Sequence, residues 1–137
     1  MPLLLADFDV KQKSNEGVEL RLHHPVTGDE TEMVVILAGI DSDEASKLQR
    51  ETARRYLERL TSPKKKGKLD DEDADGIELL VRCTLGWRNI IWDDPDTPLE
   101  FSPENVRMVY SHVPAIREEV SAFIQDRSNF MKVSPTL

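Results

Sequence analysis

The sequence predicts an α+β fold: an N-terminal antiparallel β-hairpin followed by about four α-helices. Three observations carry this. Residues 18–24 alternate, with Val18, Leu20 and Leu22 on one side and Glu19, Arg21 and His23 on the other, a period of two that marks a half-buried strand. Residues 32–38 are β-branched and apolar, as a better buried strand requires. Beyond Gly39 the apolar residues recur at spacings of three and four, the period of helices with one buried face.

The elements follow in order. Residues 1–17 read as a leading arm in which Phe8 and Val10 are available for a third short strand, while Lys11 to Gly17 is polar and turn-like. Pro25 to Asp29 is the turn of the hairpin, punctuated by Pro25 and Gly28. Asp41-Ser42-Asp43-Glu44 starts a helix, with Asp41 as cap and Glu44 three residues on. Ala45, Leu48, Thr52, Tyr56 and Leu60 give it an apolar stripe over about 18 residues. Pro63 stops it.

Residues 61–76 hold a basic run, Lys64 to Lys68, and an acidic run, Asp70 to Asp75, and are expected to form a charged, mobile loop. The acidic run also suits the positive end of the next helix, which carries Ile77, Leu80, Val81 and Thr84 and is expected to end at Gly86. Residues 87–101 read as irregular. Ser102-Pro103-Glu104 is a helix start, with Ser102 as cap and Val106, Val109 and Tyr110 as the apolar face. Pro114 opens or kinks the last helix, on Ile116, Val120, Phe123 and Ile124. Residues 131–137 are expected to be a disordered tail.

At 137 residues, one domain spanning 1–137 is the expectation. The balance of 18 basic against 26 acidic residues, net −8, argues against nucleic acid and anionic membrane surfaces as partners. A single cysteine, Cys83, excludes an internal disulfide. The apolar start Leu3-Leu4-Leu5-Ala6 is broken by Asp7 and Asp9, unlike a secretory signal. The longest apolar run, Met33 to Ala38, is far short of the roughly 18 residues that cross a bilayer. The chain is expected to be soluble and to stay where it is made.

Motifs that carry chemistry are weak. Asp71, Asp73, Asp75 and Gly76 match the first half of an EF-hand loop, but position twelve is Arg82 where a bidentate Glu is needed, so an acidic helix start is the better reading. His23 and His24 are neighbours on a strand and face opposite ways, and His112 stands alone, so no metal site is expected. Cys83 has no base nearby in sequence. The six glycines form no phosphate-binding loop, and no cofactor is expected. Trp87, Ile90, Ile91, Trp92 and Phe101 cluster in one segment. They either plug the gap between helices or contribute to a protein interface, and the two roles are compatible.

The second half resembles a known family. The pieces are Gly86-Trp87-Arg88-Asn89-Ile90, Pro98-Leu99-Glu100-Phe101-Ser102-Pro103-Glu104-Asn105-Val106, Val113-Pro114-Ala115-Ile116-Arg117-Glu118-Glu119-Val120, Phe123-Ile124 and Asp126-Arg127-Ser128-Asn129-Phe130. In order and spacing they resemble tail assembly chaperones of long-tailed, siphovirus-type bacteriophages. The similarity is specific over residues 86–130 and looser over 16–60, and the loop from Lys64 to Asp75 has no counterpart. The motifs are structural, and none is a catalytic signature. The resemblance implies a non-enzymatic protein of the infected cell's cytoplasm, absent from the finished virion. It would bind the tape measure protein, whose apolar helical stretches would otherwise aggregate. It also implies self-association and a longer, frameshifted companion form. The alternative is a structural tail or head–tail component retained in the virion.

Overall fold

The computed structural model describes residues 4–61 and 70–131, with side chains in the second stretch from Asp75 onward. It is an α+β fold in which a three-stranded antiparallel sheet, ordered β1-β2-β3, carries a layer of helices on one face. β1 (Val18–His23) and β2 (Glu30–Leu37) are the expected hairpin. His24 shapes its turn: Nδ1 accepts from the amides of Val26 (3.1 Å) and Thr27 (3.3 Å), and Gly28 adopts φ 76°.

The third strand is not where the sequence suggested. Phe8 ends a 3-10 turn (Leu5–Phe8), and Val10 precedes a short helix, α1 (Lys11–Glu16). The polar stretch read as turn-like is helical because the Asp9 carboxylate accepts from Lys11 N (3.1 Å) at its start, while Gly17, at φ 94°, lets the chain leave it. The third strand is β3 (Thr84–Arg88), paired with the far edge of β2.

α2 (Asp43–Thr61) is capped by Ser42, not Asp41: Ser42 Oγ accepts from Ala45 N at 3.2 Å. Asp41 instead takes Arg127 in a two-pronged ion pair at 2.7 and 3.1 Å. Asn15 Oδ1 accepts another first-turn amide, that of Asp43, at 2.8 Å. Ala45 and Leu48 are buried, but Tyr56 and Leu60, expected on the buried stripe, are exposed together with Leu57. The main packing partner of α2 is α3.

α3 (Asp70–Cys83) begins inside the stretch expected as a loop, so residues 70–76 are helical, and residues 62–69 lie outside the described residues. The expected tail, 131–137, lies outside them as well, apart from Met131. α3 ends at Cys83 rather than Gly86. Thr84 Oγ1 donates to Leu80 O at 2.7 Å and so satisfies a terminal carbonyl of the helix, while Cys83 O accepts from Ala38 N at 2.7 Å. Helix therefore passes into strand with no loop, and Gly86 sits within β3 opposite Ile36.

α4 (Pro103–His112) starts at Ser102, whose Oγ accepts from Asn105 N at 3.2 Å. α5 (Pro114–Gln125) starts at Pro114, and a 3-10 turn (Arg127–Phe130) follows. Leu20, Leu22, Val35, Leu37, Leu80 and Val106 belong to the central core between sheet and helices.

Candidate functional site

Leu20, Val35 and Trp87 are register partners across the three strands and face the helices. After Arg88 the chain turns at Asn89, in the left-handed region at φ 60°, with Asn89 Nδ2 held by Glu32 O at 3.1 Å. The segment beyond folds back on itself. Ile91 and Pro98 form an isolated antiparallel bridge, and Leu99 N donates to Ile90 O at 2.7 Å. Asp94 closes this turn through the Asp96 amide (3.0 Å) and the Thr97 hydroxyl (2.9 Å), and both hold its carboxyl below the usual range. Trp87 Nε1 donates to Leu99 O at 2.9 Å, which pins the returning limb to β3.

An apolar cleft of about 370 Å³ results. Its floor is Leu22, Met33 and Val35 of the sheet. One wall is the aromatic segment, with Trp87, Ile90, Ile91 and Trp92. The other is α4 and the start of α5, with Val109, Tyr110, Val113 and Ile116. Of the five residues singled out from the sequence, four line it. Ile90 is buried at 6 % exposure, while Trp92 is 47 % exposed and stands edge-on to His112, with ring centroids 6.2 Å apart. Phe101 lies behind the wall, edge-on to Trp87 at 5.5 Å, and is itself exposed. The sheet, α4 and α5 residues of the cleft, Val113 apart, were visible in the sequence only as positions on apolar strand or helix faces. No local signal distinguishes a core residue from one that faces an opening.

The chemistry-bearing candidates are dispersed. Cys83 is fully buried, and burial pushes its thiol up to about 12. His23 is tied to Glu119 of α5: Nδ1 lies 2.5 Å from one carboxylate oxygen, and the His23 amide donates to the other at 3.1 Å. His24 belongs to the hairpin turn, and His112 Nδ1 sits 2.9 Å from Met108 O. Asp75 faces Arg55 at 3.5 Å from within a helix, where an EF-hand would need a loop. Among the described residues no group of three or more His, Cys, Asp or Glu side chains is placed to hold a metal, and no helix is long and apolar enough to cross a membrane.

No family model, no curated protein and no solved structure matches the chain.

Proposed function

We propose that this chain is a non-catalytic tail assembly chaperone of a long-tailed bacteriophage. It binds the tape measure protein and keeps it soluble while the tail tube assembles. It works in the host cytoplasm, is absent from the mature virion, and associates with further copies of itself and with a frameshifted longer form. The observation that carries this reading is the open apolar cleft with Trp92 half exposed at its mouth. A protein that holds apolar helical segments needs such a surface, together with enough charge to keep the complex dissolved. The net charge of −8 supplies the second. The spacing of the motifs over residues 86–130 supplies the phage assignment.

Co-expression of the tagged chain with the tape measure protein encoded beside it tests the reading. The client is expected to become soluble and to co-elute. A client that stays insoluble, with nothing co-eluting, overturns the proposal. Recovery of this chain in purified virions by mass spectrometry would replace it with a structural tail or head–tail component.

A further inference from the structure

The cleft is apolar inside, but the segment that builds its aromatic wall is charged in one sense only. Between Arg88 and Arg107 the chain carries Asp93, Asp94, Asp96, Glu100 and Glu104 and no lysine, arginine or histidine. All five carboxylates are exposed. Among the described residues none of them forms an ion pair, whereas Glu19, Asp41, Asp43, Glu78 and Glu119 all do. Asp93 directly follows Trp92, which lines the cleft and whose ring stands against His112. On α5 the half-buried Arg117 is engaged by a backbone carbonyl, its Nη1 3.4 Å from Tyr110 O. Unpaired carboxylates on the segment that forms one wall of an apolar opening bias the sign of what approaches it, because like charge there is repelled and opposite charge steered in.

We propose that the cleft receives an amphipathic helix of a partner protein whose apolar side chains are flanked by lysine or arginine. This rests on the client-binding reading above and specifies the client segment. The cleft volume lies at the low end for ligand pockets. It suits one or two large side chains projecting from a helix rather than a whole extended chain.

The test uses the purified full chain and two fluorophore-labelled synthetic helices of about 18 residues. Both carry the same leucine and phenylalanine face, and one carries lysines and the other glutamates on its polar face. Fluorescence anisotropy is expected to show the lysine helix binding at least about tenfold tighter at low salt. The preference should collapse near about 0.5 M salt. It should also collapse in a triple variant, Asp93→Asn, Asp96→Asn and Glu100→Gln, which leaves Asp94 to hold its turn. Trp92→Ala should weaken both helices. Equal binding of the two helices, binding of neither, or binding indifferent to Trp92→Ala overturns the proposal. Sedimentation of the same samples covers the remaining occupant: a chain that binds neither helix and self-associates only while Trp92 is present assigns the cleft to a second copy. The co-expression experiment is independent of this one. A client that co-elutes while the lysine helix gains no preference sinks this inference and leaves the chaperone reading, whereas a lysine preference with no client co-eluting sinks the chaperone reading and assigns the cleft to a basic helix of another partner.

Discussion

At Thr84 one hydroxyl serves two neighbours. It gives its proton to Leu80 O, so the Tyr110 hydroxyl, 2.6 Å away, must be the donor in the second bond. All of this is buried, which raises the phenol's pKa. Tyr110→Phe removes one neutral bond and is expected to cost about 1 kcal/mol. Thr84→Val strips a helix-end carbonyl and strands a buried phenol at once, and should cost more, about 1–3 kcal/mol. Urea denaturation of the two variants checks the order. His23 gives a second prediction. The Glu119 carboxylate beside it raises its pKa above 6.5. A raised folded-state pKa means that the contact's stability is fully present below about 6.5 and is lost as pH rises through the folded value. Tm should therefore fall between pH 6 and pH 8 in the parent chain, and Glu119→Gln should flatten that part of the profile. An unchanged profile in the variant would show the contact to be energetically silent.

Among the elements, α2 is divided along its length. Leu48 is 3 % exposed in the N-terminal half, whereas Leu57 and Leu60 are 61 % and 66 % exposed in the C-terminal half. Leu48→Ala should cost about 2–5 kcal/mol through lost burial and a cavity. Leu57→Gln and Leu60→Gln should each stay within about 0.5 kcal/mol of the parent. Thermal melts of the three variants separate the halves. The joint between β2 and α2 is tight in another way. A Cβ on Gly39 would lie 2.6 Å from Ser14 Oγ, 3.1 Å from Ser14 Cβ and 3.2 Å from a Phe130 ring carbon, so Gly39→Ala forces the Ser14 side chain, and to a smaller extent the Phe130 ring, to shift. It should lower the denaturation midpoint even though Gly39 needs no left-handed backbone.

Across the molecule, distant segments are fastened by two-pronged arginine pairs. Arg88 holds Glu19 at 2.6 and 3.1 Å and so spans the outer strands over β2, on the face away from the helices. It lowers the pKa of Glu19. Arg127 holds Asp41 and brings the chain's last described turn to the start of α2. These pairs are exposed and contribute more to register than to stability. With the sheet so fixed, the aromatic segment has one place to fold back, and the cleft forms beneath it.

Hairpin, helix periodicity, the Ser102 cap and the Trp87–Trp92 cluster were all legible in the sequence, because each depends on neighbours within a few residues. Alternation decides which side of β1 is buried, and a serine before a proline decides where α4 begins. What tertiary structure decided was non-local. Residues 84–88 carry no strand pattern of their own, and a glycine in their middle imitates a helix end. They become β3 because β2 offers an open edge and Thr84 closes α3 early. Tyr56 and Leu60 continue a regular stripe, yet nothing in their spacing says that the core stops at Leu48. The cleft is the same case at larger scale, since its floor and far wall are ordinary core positions. Only the packing of sheet, α4, α5 and the returning segment leaves space above them.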